Sequence, residues 1–269
     1  MISRNNNSIV KTSSNSDGIL RITLNNPKNH NALSEEMMLN IQLALDESAS
    51  DKKIRVIIIS AEGPTFSAGH DLKELKAGRK NSDKGKGYFK EVMLKCSKLM
   101  QSIVNNPKPV ISEVAGVATA AGCQLVASCD LAYAGESARF ATPGVNIGLF
   151  CSTPMVALSR NISNKHSMEM LLTGDLISSS KAAEIGLINK MINDNDLQNF
   201  VLERALKISK KSAMTLKIGK EAFYKQIDMT LSQAYDYASN VMVENMLKLD
   251  AEEGIDAFIN KRTPNWQDK

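Results

Sequence analysis

The sequence predicts an α/β core followed by a helical C-terminal region, and three observations carry that prediction. Short runs such as Ile19–Leu24 and Val56–Ile59 have the length and period of strands. Segments of helical periodicity separate them, giving a strand–helix–strand order. Beyond Gly148 the pattern turns predominantly helical.

Residues 1–17 are rich in Ser and Asn, carry Arg4 and Lys11 and hold no acid before Asp17. They read as a flexible tail, with a weak organelle-targeting segment as the alternative. Ile19–Leu24 alternates like a half-buried strand and leads into a turn at Asn25–Lys28. Ser34 then caps a helix whose first turn holds Glu35 and Glu36, where the helix dipole favours acids. Val56–Ile59 is apolar throughout, as in a strand buried on both faces, and parallel pairing of the two strands would require a right-handed crossover. Phe66–Leu75 reads as a strand end, a small-residue corner and a helix start, with Asp71 as the cap. Residues 77–88 are basic and glycine-rich without apolar period, as in a mobile loop. A helix from Tyr88 to Val104 follows. Leu131–Ala134, Phe140 and Val145–Ile147 continue the sheet layer. The α/β core is placed at residues 18–195 and the helical region at 196–269.

A chain of 269 residues can bury a substantial core. Its net charge of +4 is spread along the sequence, which argues against nucleic acid as a partner. No apolar run reaches the roughly 18 residues that read as a membrane span. The four cysteines form no C-x-x-C pair, so no metal site is expected and a reducing compartment is favoured.

The stretch Pro109–Asp130 organises the chain. Between Ala115 and Cys123 nearly every residue is Gly, Ala or Thr, and a helix-compatible run begins at Ala121. Small side chains let a ligand approach the backbone, and the unpaired N–H groups of a helix's first turn favour a negatively charged oxygen. The alternative is a smooth helix packed tightly on a sheet.

Taken together, Asn29-His-Asn-Ala-Leu-Ser34, Phe66-Ser-Ala-Gly-His-Asp-Leu72, Gly116, Ala121-Gly-Cys123, Cys129-Asp-Leu-Ala132, Leu172-Thr-Gly-Asp175 and Ala182–Leu187 resemble the enoyl-CoA hydratase/isomerase (crotonase) family in its order. Phe258, Lys261, Arg262 and Pro264 extend the likeness to the C-terminus. The resemblance implies a ClpP/crotonase-like spiral of β-β-α units, a C-terminal region used for trimer contacts (a homotrimer or dimer of trimers), and an acyl-CoA thioester as ligand in fatty-acid metabolism, with no other cofactor. It implies a cytoplasmic location, or the mitochondrial matrix in a eukaryote. It places the backbone N–H groups of Ala68 and Ala121 around the thioester oxygen, with Ser67, Gly69, Asp71, Leu72 and Gly122 beside them. It also assigns Lys28, Asn31, Ala32, Phe258 and Lys261 to CoA.

The departures from the family pattern bear on mechanism. Its hydratases use two glutamates, one to activate water and one to protonate carbon. Gln124 stands at the first of those positions and Gly144 at the second. Ser152 stands at a third acidic position used by some members. The two-carboxylate mechanism is therefore not expected. Decarboxylating members share the Phe66–Asp71 and Val145–Gly148 patterns, although a tyrosine expected after Gly148 is replaced by Cys151. A catalytically silent acyl-CoA binder is the other alternative. His70 is either a catalytic group or a loop histidine facing pantetheine. Glu113 is either a relocated base or a paired structural charge. Cys123 and Cys151 default to buried small hydrophobes.

Overall fold

The computed structural model describes residues 8–269. Strand β1 (Val10–Ser14) pairs antiparallel with β2 (Ile19–Leu24). Part of the expected flexible tail is thus a strand, with Val10 buried in the core; residues 1–7 lie outside the described region. Ser34 caps α1 (Glu35–Ser50), its hydroxyl accepting the Met37 N–H at 3.1 Å. The crossover delivers β3 (Val56–Ala61) parallel to β2.

From β3 onward the chain repeats one device. A strand in a large sheet is followed by a short strand in a second sheet and then by a helix. The first unit is β3, β4 (Thr65–Ser67) and α2 (Leu72–Gly78), to which α3 (Lys86–Val104) is added. The second is β5 (Val110–Val114), β6 (Val117–Thr119) and α4 (Ala121–Ser128). The third is β7 (Leu131–Gly135) and β8 (Arg139–Ala141), which leads into a 3-10 turn at Pro143–Ile147. That turn corrects the expectation of a strand at Val145–Ile147. Pro143 lacks an N–H for a ladder, and Gly148, at φ +74°, closes the turn.

Then come α5 (Pro154–Asn161), α6 (Asn164–Thr173), β9 (Ile177–Ser178), α7 (Ser179–Glu184) and β10 (Lys190–Ile192). The chain closes with α8 (Leu197–Ser209), α9 (Ala213–Gln226), α10 (Leu231–Met246) and α11 (Leu249–Ile259). The large sheet runs β1-β2-β3-β5-β7-β10 and the small one β4-β6-β8-β9.

Both faces of the large sheet are covered, which is why Val56–Ile59 reads as continuously apolar. Ile57 and Ile59 face the main core with α1, α3 and α4, whereas Val56 and Ile58 join Val201 and Ala205 of α8 on the other side. The expected loop at residues 77–88 is shorter than anticipated. Helix α2 runs to Gly78, and the Asp83 carboxylate gathers the N–H groups of Gly85 and Gly87 at 2.9 and 2.7 Å just before α3. Helix α10 buries no residue, and Leu231, Leu247 and Phe258 are 75%, 74% and 86% exposed.

Candidate active site

Strands β4 and β6 are parallel neighbours, so the turns at their C-terminal ends lie side by side. Gly69 has φ +86°, and a Cβ there would come within 2.9 Å of the Ala120 Cβ and 3.0 Å of the Ala121 nitrogen. Only glycine lets the two turns touch. Gly122 serves packing in the same way: a Cβ would fall 2.2 Å from the Ser67 carbonyl oxygen, locking α4 onto β4. Ser67 and Gly122, expected beside the ligand, instead face each other inside the fold.

The donor assignment also changes. The Ala68 N–H, expected to be an oxyanion donor, donates to the His30 carbonyl at 3.0 Å and is consumed by the fold. Leu33 N–H donates to the Gly69 carbonyl at 2.7 Å and pins the turn. The next N–H, that of His70, has no hydrogen-bond partner among the described residues, and neither does the N–H of Ala121 at the first position of α4. Free donors therefore flank the contact between the turns, His70 N–H on one side and, on the other, Ala121 N–H at the head of the unpaired first-turn N–H groups of α4. Asp71 follows as the cap of α2, accepting from the Lys73 and Glu74 N–H groups at 2.8 and 3.3 Å, which confirms its structural reading.

Ala120 precedes the donor at φ +50° and ψ −120°, a conformation alanine rarely adopts. Replacing Ala120 with glycine is expected to stabilise the fold by about 1–2 kcal/mol, the cost of holding an L-residue at positive φ. Urea unfolding of the two proteins measures the gain.

The His70 imidazole is largely shielded, and neither ring nitrogen meets hydrogen-bond geometry with a partner among the described residues; burial lowers its pKa below the ordinary histidine value, opposed by the nearby Leu33 backbone. Gln124, on the first turn of α4, is 5% exposed, and its Oε1 faces the Cys96 thiol at 4.0 Å. At Gly144 a Cβ would sit 2.8 Å from the Leu149 carbonyl oxygen and 2.9 Å from the Cys151 Sγ. The space a second carboxylate would need is thus taken by the following loop. Ser152 faces solvent, its hydroxyl 3.4 Å from the Phe150 carbonyl. Burial raises the thiols of Cys123, to about 12, and of Cys151, so neither is a nucleophile near neutrality.

Glu113 makes a bidentate ion pair with Arg21 at 2.6 and 3.0 Å. By strand parity it shares the face of Ile111, which packs toward α8 and away from α4. It is a structural charge. Asn31 is fully buried and fully used: Oδ1 accepts from Asn26 N–H at 2.7 Å, and Nδ2 donates to the Glu62 and Thr65 carbonyls at 2.9 and 2.7 Å. It holds a turn, and its side chain has no polar atom left for CoA. Ala32 is buried beside it, while Lys28, Leu72, Phe258 and Lys261 are exposed. None of these lines the large cavity.

That cavity, about 1080 Å³, lies between α3, the C-terminal half of α4, α5 and α9, with Gln124, Ala127, Asp130 and Tyr224 in its wall. It includes neither Ala121 nor His70, so Gln124 is where it meets the first turn of α4. At its far wall the Asp130 carboxylate accepts from Val110 N–H and Lys220 Nζ at 2.7 Å each and from the Tyr224 hydroxyl at 2.9 Å. Lys220 also donates to the Ile103 and Lys108 carbonyls at 3.0 Å. This cluster, which ties α9 to the core, was missed at the sequence level. The only local signal was Cys129-Asp130.

A spiral of two-strand units with paired backbone donors at the start of a buried helix defines an enoyl-CoA hydratase/isomerase fold. The chain belongs to the enoyl-CoA hydratase/isomerase family, whose model matches residues 14–269. It is 48% identical to the rat (Rattus norvegicus) protein "enoyl-CoA hydratase domain-containing protein 3, mitochondrial", over 93% of this chain and 82% of the relative. The solved human enoyl Coenzyme A hydratase domain-containing protein 3 superposes with a TM-score of 0.91 at 47% identity, covering 96% of this chain and 100% of that one. An enoyl-CoA hydratase from Mycobacterium smegmatis gives a TM-score of 0.92 at 41% identity, over 96% and 98%.

Proposed function

We propose that this chain binds acyl-CoA thioesters and stabilises their enolate with the N–H groups of His70 and Ala121, without two-carboxylate acid–base chemistry. The observation that carries the reading is the pair of unpartnered N–H groups at the Gly69–Ala120 contact, beside a helix whose dipole also favours negative charge. Enolising a thioester moves charge onto its carbonyl oxygen, and preorganised donors act on that charge. Gln124 cannot titrate. The Leu149–Cys151 segment blocks the Gly144 position. Hydration is therefore disfavoured, and loss of carbon dioxide from a malonyl-type ester is the favoured reaction, because it generates the enolate without a base.

The exposed apolar residues of α10 and α11 support assembly as a homotrimer or dimer of trimers. The mitochondrial names of the rat and human relatives support the mitochondrial matrix as the compartment in a eukaryotic source.

The deciding experiment incubates the purified protein with enoyl, malonyl-type and saturated acyl-CoA esters and reads the products by mass spectrometry. Loss of carbon dioxide from the malonyl-type ester is the expected result. Gain of water by an enoyl ester would overturn the exclusion of hydration. Binding of esters without any product would leave a silent acyl-CoA binder.

A further inference from the structure

Gln124 presents an unusual combination. Its side chain is 95% buried, yet only one end of the amide is engaged, since Oε1 faces the Cys96 thiol and Nε2 has no partner among the described residues. Cys96 is fully buried on α3, and its thiol stays protonated near neutrality, because burial raises its pKa to about 12. It is a weak donor that Oε1 can accept at 4.0 Å, and this orientation leaves the NH₂ group without a protein partner at a residue that lines the cavity. An amide N–H without a protein partner is free to donate to a ligand or water acceptor there.

Gln124 follows Ala121 by three residues, at the end of the first turn of α4 and roughly 4.5 Å further along its axis. A thioester whose oxygen rests on the Ala121 N–H and whose acyl chain runs along α4 toward the cavity brings C2 and C3 within reach of the Gln124 amide. Met100 and Ala127 are also in that wall, so the amide donates within a partly apolar setting, where a hydrogen bond discriminates best.

We infer that Gln124 is a specificity-determining residue selecting acyl-CoA thioesters that bear a hydrogen-bond-accepting oxygen on or attached to C3, with Cys96 as the positioning residue that fixes its amide. The ligand class comprises 3-oxoacyl esters and malonyl-type esters, whose ketone or carboxylate oxygen accepts from Nε2. Saturated and 2-enoyl esters offer nothing to that donor. This inference deepens the acyl-thioester reading and rests on it.

Calorimetric titration of the full chain with 3-oxobutyryl-CoA, malonyl-CoA and butyryl-CoA tests it. 3-Oxobutyryl-CoA is expected to bind about tenfold more tightly than butyryl-CoA, the discrimination one neutral hydrogen bond supplies, and malonyl-CoA at least as much more tightly through its charged acceptor. Comparing the ketone with the carboxylate identifies which oxygen the site takes. Gln124→Leu and Gln124→Met should each bring the ratio to about one by weakening the oxygenated esters, with butyryl-CoA affinity retained as the check on folding. Cys96→Val should lower the same ratio, and Cys96→Ser, which restores a donor, should recover it. A ratio of one in the wild type, or an unchanged ratio in both Gln124 variants, overturns the inference and leaves acyl-CoA binding standing. Failure of all three esters to bind would overturn both.

Discussion

Replacing Lys220 with methionine is expected to destabilise the protein by about 3–5 kcal/mol, the usual cost of removing one partner from a buried ion pair. The lysine is 9% exposed at its side chain and the aspartate 16%, so water can replace little of what is lost. Asp130 would keep the Val110 N–H and the Tyr224 hydroxyl but no cation. The Ile103 and Lys108 carbonyls would lose their shared donor as well. Urea unfolding at pH 7 reads the deficit.

Its pH dependence follows from linkage. Burial already raises Asp130 above the ordinary aspartate pKa, and loss of Lys220 raises it further. The folded variant then takes up a proton at a pH where the unfolded chain has not, so the deficit shrinks as pH falls through that raised folded pKa. The double variant Lys220→Met with Asp130→Asn should recover part of the loss at pH 7, because no buried charge remains. An undiminished deficit in the double variant would mean that the lysine acts through packing of α9 alone.

Local chemistry made much of the fold legible. Ser34 and Asp71 were readable as caps because a cap is decided within three residues, and both accept the N–H groups expected of them. Val56–Ile59 was readable as a strand covered on both faces from its composition. The site was less legible because its groups are assigned by contacts distant in sequence. Ala68 looks like a donor in its motif, but its N–H is consumed by a carbonyl 38 residues upstream, at His30. Asn31 looks like a ligand contact until its three hydrogen bonds to the fold are seen. Nothing near Gln124 announces Cys96, which approaches from α3. Val10–Ser14 reads as tail in the sequence because a polar edge strand resembles a linker until its partner is known.

The second large effect concerns the donor pair. Ala121→Pro is expected to reduce turnover of any ester the protein converts by about 10²–10³-fold, the cost of removing one oxyanion donor elsewhere. Proline is well suited to isolate that loss. Ala121 is the first residue of α4, where the ring's fixed φ matches the helix and the missing N–H breaks no helical bond. The Ala121 side chain is 1% exposed and packs in the main core, so a similarly small residue is needed. The neighbouring Gly69 leaves little space over the Ala121 nitrogen, and circular dichroism must therefore show an intact fold beside the kinetics. A fall in turnover with ester affinity retained assigns the N–H to the transition state. An equal loss of binding and turnover would mean that it holds the ground-state thioester. Unchanged kinetics would remove Ala121 from the chemistry and leave the free N–H of His70 to be tested next.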